Sequence, residues 1–169
     1  CMHIFRLFVT PHTTTSQESQ QLLATFQQDL QIPLTALTIY ERYDISGITE
    51  SEFERAKTLI FSEPPIETTC TTLNLSALDH PIAIAPILGQ YDPRADAAEQ
   101  CLSILTGHDH STVRTARIYV LRGPLTNTHI DTARQYLLQS IDACESSMDL
   151  PATLDIITPM IPETSYIEE

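Results

Sequence analysis

A chain of 169 residues is long enough for one compact domain, or for two small subdomains that share a core. With 42% hydrophobic and 18% charged residues it is globular in composition rather than disordered. Its formal net charge of -13 argues against nucleic acid or an anionic membrane surface as a partner, since both are polyanions.

No apolar run approaches the roughly 20 residues needed to span a bilayer, and no signal-peptide pattern opens the chain. The expected location is cytoplasmic. Four cysteines, Cys1, Cys70, Cys101 and Cys144, stand at wide, irregular spacings without a CxxC, which reads as free thiols. Cys1 precedes Met2, the natural-looking start, and reads as a remnant of cloning.

The first strand is expected at 4–9, with Phe5, Leu7 and Val9 on one face and Pro11 at its end. Thr15 and Glu18 are spaced as a capping box for a helix whose stripe is Leu22, Leu23, Phe26 and Leu30, stopping at Pro33. A second strand places Leu37, Ile39, Tyr43 and Ile45 on one face and closes at Gly47. Thr49 and Glu52 form another capping box; the short helix after it buries Phe53, Ala56 and Ile60 and ends before Pro64-Pro65. The β-branched stretch 68–73 reads as a strand.

The same order then recurs. Pro81 leads into a strand at 82–85, closed near Pro86. Asp92 and Pro93 supply an N-cap and a first-turn proline, the helix stripe is Ala98, Cys101, Leu102 and Leu105, and Gly107 fits the C-terminal cap. On this reading Cys101 is a small buried hydrophobe. Residues 113–121 form the strongest strand of the chain. A last helix is expected over 127–139, with Ile130, Ala133 and Leu137 in register. The repeated order of elements, without repeated residues, points to an α+β protein built from a duplicated unit, with halves at 3–73 and 81–145 in a domain of 1–145. Residues 146–169, rich in proline, threonine and acidic residues, read as an extended linker.

Chemistry-bearing motifs are sparse. The four glycines form neither GxxxxGK nor GxGxxG, so an ATP site within this chain is not expected, and no Gly-x-Ser-x-Gly elbow occurs. No cysteine adjoins His, Lys or Arg in sequence, as an activated thiolate would favour. His108-Asp109-His110 is the one metal-like tract, but no second ligand pair is spaced to complete a zinc site; a solvated polar turn is the better reading. Arg42 and Asp44, two apart, share a strand face and are expected to pair. Arg114 and Arg122 bracket Ala116, Ile118 and Val120 on a strand apolar on both faces, so they mark the rim of a covered layer. Tyr91-Asp92-Pro93-Arg94 combines an aromatic, a helix N-terminus and an arginine at the end of a buried strand. Asp92 already occupies the positive end of that helix, which favours an interface over an anion site.

Four segments resemble one family. Arg42-Tyr43-Asp44-Ile45-Ser46-Gly47-Ile48, Phe61-Ser62-Glu63-Pro64-Pro65-Ile66-Glu67-Thr68, Gly89-Gln90-Tyr91-Asp92-Pro93-Arg94-Ala95-Asp96-Ala97-Ala98 and Val113-Arg114-Thr115-Ala116-Arg117-Ile118-Tyr119-Val120 are similar, in order, to segments of large single-chain phosphoribosylformylglycinamidine synthases. Ile161-Pro162-Glu163-Thr164 is similar to the linker of that family; Leu88 and Pro93 depart from its pattern.

The resemblance implies a duplicated PurS-like, ferredoxin-like α/β sandwich with a mainly antiparallel sheet. It implies a non-catalytic N-terminal scaffold that braces the synthetase and glutaminase domains of the same chain and helps form the ammonia path. The full-length ligase would use ATP, magnesium and glutamine to convert formylglycinamide ribonucleotide (FGAR) to its amidine (FGAM). This portion would hold no cofactor, no metal and no catalytic residue, and alone would be inactive. Its candidate interdomain contacts are Tyr91, Arg94, Gln90 and Arg42. A stand-alone regulatory or adaptor module binding a small ligand between its halves is the alternative, with a small hydrolase or isomerase using Cys or His as a third reading.

Overall fold

The computed structural model describes residues 3–11, 17–87, 91–139, 143–146 and 148. The protein is α+β: among the described residues one six-stranded antiparallel sheet carries four α-helices. In chain order the elements are β1 (Phe5–Pro11), α1 (Gln17–Ala24), β2 (Ala36–Ser46), α2 (Glu50–Leu59), β3 (Glu67–Cys70), β4 (Asp79–Pro86), α3 (Pro93–Thr106), β5 (Thr112–Arg122), α4 (Asn127–Leu137) and β6 (Ala143–Ser146). A five-residue π-helical turn, Thr25–Asp29, prolongs α1 and buries Phe26.

The strand order is β3-β1-β2-β5-β4-β6. Read outward from the central pair β2 and β5, each side runs through the second, first and third strand of its part of the chain. The registers repeat too. Leu7 lies opposite Tyr43 between β1 and β2, and Ile82 opposite Tyr119 between β4 and β5. Phe8 lies opposite Cys70 between β1 and β3, and Ala83 opposite Ser146 between β4 and β6. Each correspondence is a shift of 75 or 76 residues along the chain.

Period-two alternation sorts the strands onto two faces. One face packs against the helices in two apolar clusters. Leu7, Val9, Ile45 and Val113 meet Phe53 and Ala56 of α2 and Ala98 and Leu102 of α3. Leu37, Ile39, Ile82, Tyr119 and Leu121 meet Phe26 and Ala133, the latter from α4. The opposite face buries Phe8, Ala83, Ile118 and Val120, with Tyr40, Cys70, Leu73 and Met148 against them; among the described residues no helix contributes there. That strand β5 is apolar on both faces follows from this double covering.

Helix ends follow the sequence signals. The Thr49 hydroxyl accepts from the Glu52 amide while the Glu52 carboxylate accepts from the Thr49 amide. Thr126 and His129 make the same reciprocal pair at α4. Asp92 caps α3 and Gly107 closes it at φ 80. The expected cap at Thr15 lies outside the described residues. Among those residues no helix is long and apolar enough to cross a membrane.

Four sequence expectations are corrected. Cys101 is exposed rather than buried, because α3 turns that position away from the sheet. The strand expected at 68–73 stops at Cys70, and Leu73 instead folds against the helix-free face. Strand β4 begins at Asp79 and runs through Pro81; among the described residues β6 pairs only with 83–86, so no described strand needs an N–H from Pro81 on that edge. Strand β6, in a stretch where no strand was expected, pairs with β4, and its last residue, Ser146, belongs to the sheet rather than to the linker expected from that position.

Candidate functional site

The start of α3 is anchored by Asp92: one carboxylate oxygen accepts from the Ala95 amide at 3.1 Å, the other from the Thr115 hydroxyl on β5 at 2.6 Å. The N-cap is thus tied to the sheet as well as to its own helix. Tyr91, just outside this anchor, is 74% exposed, and its hydroxyl donates to Asp96 at 3.2 Å. That bond holds the proton on and raises the Tyr91 phenol above its ordinary range.

Arg94 does not project as Tyr91 does. Its Nη2 lies 2.7 Å from Glu41 Oε1, and its guanidinium sits over the Tyr43 ring at 5.3 Å. Both atoms of the ion pair are buried, and the contact is close without the alignment of a hydrogen bond. We read it as a charge contact. The partner is neither Asp96 nor Glu99, the nearby acids on its own helix: Asp96 is taken by Tyr91 and Gln100, and Glu99 accepts from the Val113 amide.

Glu41 joins Arg94 to a belt across the middle of the helix-packed face. Its Oε2 accepts from Arg117 Nε at 3.1 Å, and Arg117 donates two further bonds to Glu18 of α1, each 2.6 Å. These bonds to Glu18 hold the Arg117 guanidinium above its ordinary range against the effect of burial, and pull the Glu18 carboxyl down. Glu41 and Arg117 face one another at the centre of the β2–β5 pair. Sequence reasoning passed over them, yet a signal was present. Each interrupts an otherwise largely apolar row at its midpoint: Leu37, Ile39, Glu41, Tyr43, Ile45 on one strand and Val113, Thr115, Arg117, Tyr119, Leu121 on the other.

Arg42 lies on the other face of the sheet from Tyr91 and Arg94, and is 5% exposed. Its Nε is 3.8 Å from Asp44, and its Nη2 donates to Ser146 at 2.8 Å. Arg6 holds the same Asp44 with two bonds, at 2.7 and 2.9 Å. Burial pulls the Arg42 guanidinium down, with Asp44 opposing. The pairing of Arg42 with Asp44 is as the sequence suggested, but its burial sets it apart from the Tyr91 surface. Gln90 lies outside the described residues.

The helix N-termini of α2, α3 and α4 are filled by their own side chains, Thr49 with Glu52, Asp92, and Thr126 with His129. They do not fit a polyphosphate, which needs those amides open. His108 and His110 stack at 5.0 Å between ring centroids, and His108 Nε2 approaches Glu52 at 3.7 Å, so the turn braces α2 against α3. Cys70, Cys101 and Cys144 are free thiols, and burial raises the Cys70 thiol. No protein-family model and no curated protein matches the chain.

Proposed function

We propose that this chain is the non-catalytic, PurS-like N-terminal scaffold of a single-chain phosphoribosylformylglycinamidine synthase. In this role it braces synthetase and glutaminase domains and helps form the ammonia path. The observation that carries the reading is the mirrored strand order of the sheet, in a chain that also carries the four family-like segments. A tandem fusion of two like units predicts the same strand order in both parts of the chain. The observed order and the shift of 75 or 76 residues in register support that duplication. Equivalent details support it as well. Thr49 and Thr126 are N-caps with the same box, and Gly47 and Gly123 both carry positive φ just after the central strands.

ATP, magnesium and glutamine would be handled by other domains of the ligase, and the present chain supplies binding surface. Tyr91 is the residue we assign to that surface: an exposed aromatic, held by Asp96 beside a helix start fixed to the sheet. Aromatics of this kind anchor interfaces, each worth about 2 kcal/mol or more when truncated. Arg94 acts behind it by fixing the start of α3 through Glu41.

The test is to graft the chain in place of the PurS-like domain of a functional synthase, with and without Tyr91→Ala. The substitution is expected to lower glutamine-supported FGAM formation at least several-fold while the isolated chain melts as before. A Tyr91→Ala graft as active as the unsubstituted one would remove Tyr91 from the contact.

A further inference from the structure

The two most exposed large apolar side chains among the described residues belong to one helix and its approach: Ile104 near the end of α3, at 85%, and Tyr91 just before its start, at 74%. Between them Asp96, Gln100 and Ile104, four apart, stack along one side of α3 over about 12 Å. Hydrogen bonds fix this row. The Tyr91 hydroxyl and the Gln100 amide both donate to Asp96 Oδ2, at 3.2 and 2.9 Å. Beside it lies a groove of about 410 Å³, lined by Asp96, Glu99, Gln100, Ser103 and Ile104 together with Asp109 from the turn before β5. The Ser103 hydroxyl donates to Asp109 and the Val113 amide to Glu99. Each of the three carboxylates thus uses one oxygen to shape the groove. Among the described residues no ion pair involves any of the three, and no basic side chain lines the groove.

We propose that this side of α3 docks a basic, amphipathic segment of a partner protein, whose apolar side chains cover Ile104 and Tyr91 and whose arginine or lysine enters the groove. Shape and charge select this occupant together. Single exposed apolar residues are ordinary. Two of them on one rigid row, with an acidic groove alongside, ask for a partner that offers apolar surface and positive charge at once. Arginine and lysine do so within one side chain: the stem lies on apolar surface while the head meets carboxylates, and the arginine fork matches a carboxylate in two bonds. The net charge of -13 draws a cationic partner toward the chain and repels a second copy of it. The inference names the partner chemistry of the surface to which Tyr91 was assigned, and rests on that reading. It adds Ile104, Asp96 and Asp109 to the contact and places positive charge on the element that faces α3.

The test uses the full chain and a fluorescent peptide of repeated Leu-Arg-Arg units, with binding followed by anisotropy at low salt. The expected result is saturable binding that weakens as salt is added. Ile104→Ser, and separately Asp96→Asn with Asp109→Asn, are each expected to weaken it several-fold while the melting temperature stays as it was. Asp29→Asn with Asp131→Asn removes the same charge from exposed positions beside α1 and on α4, and is expected to leave binding nearly unchanged. The proposal is overturned if the unsubstituted chain does not bind the peptide, or if the α3 variants bind as it does. It is also overturned if the Asp29 and Asp131 variant loses as much, since net charge alone would then hold the peptide. Sedimentation showing a dimer that Ile104→Ser dissolves would overturn it too, by giving the surface to a second copy. The peptide readout is separate from the graft: an inactive graft counts against the scaffold role, and loss of peptide selectivity counts against the groove.

Discussion

Gly47 and Gly123 end the two central strands at φ 83 and φ 151, and each is pressed against a backbone carbonyl. A Cβ on Gly47 would collide with the His110 carbonyl, and one on Gly123 would stand 2.7 Å from that of Pro33. Neither obstacle is the flexible tip of a side chain, so neither yields cheaply. Gly47→Ala is therefore expected to cost about 2 kcal/mol or more, from positive-φ strain plus displacement of the 108–110 turn. Gly107→Ala, at φ 80 but in open space, should cost less. Urea unfolding of the two variants checks the order.

The Glu18–Arg117 pair gives a pH signature. The Glu18 carboxyl is lowered in the folded chain, so between its folded and unfolded pKa values the unfolded state binds more protons. The contribution to stability is thus complete above about pH 4.5 and disappears as pH falls through the depressed value. Glu18 is more than half exposed, and solvent screening keeps the pair to about 0.5–1 kcal/mol. Glu18→Gln should lower stability by that amount at pH 7 and by progressively less as pH falls below about 4.5. A gap that widened on acidification would contradict the assignment.

At the scale of elements, the caps were legible because a cap is local chemistry. Thr49 with Glu52, Asp92 before Pro93, and Gly107 each announce a helix end within four residues of sequence. Strand β2 was legible because apolar residues alternate along it, and β5 because it is a long apolar, β-branched run. Strand β6 was not. Ala143-Cys144-Glu145-Ser146 has neither β-branched nor aromatic residues, and its conformation comes from pairing with β4. The extent of β4 was hidden for a related reason: Pro81 is acceptable in a strand only where no neighbour needs its N–H, which is a property of the sheet. The exposure of Cys101 depended on how α3 is rotated, and an apolar stripe with little asymmetry leaves that rotation open. The candidate contact was legible in part. Tyr91 could be singled out as a loop aromatic, whereas the partner of Arg94, Glu41, lies on a strand more than fifty residues earlier.

At the scale of the molecule, the central pair of strands is where the two parts of the chain meet, and Glu41 and Arg117 mark its midpoint. The apolar clusters lie to either side of this charged belt, one under α2 and α3, the other under α1 and α4. Grafting the chain in place of the PurS-like domain of a functional phosphoribosylformylglycinamidine synthase, and measuring FGAM formation with glutamine and with free ammonia as nitrogen donor, tests the proposed scaffold role most directly. If the chain is the scaffold that couples the two active centres, the grafted enzyme uses glutamine nearly as well as ammonia. A graft that folds and uses ammonia but shows no glutamine-supported synthesis would contradict it.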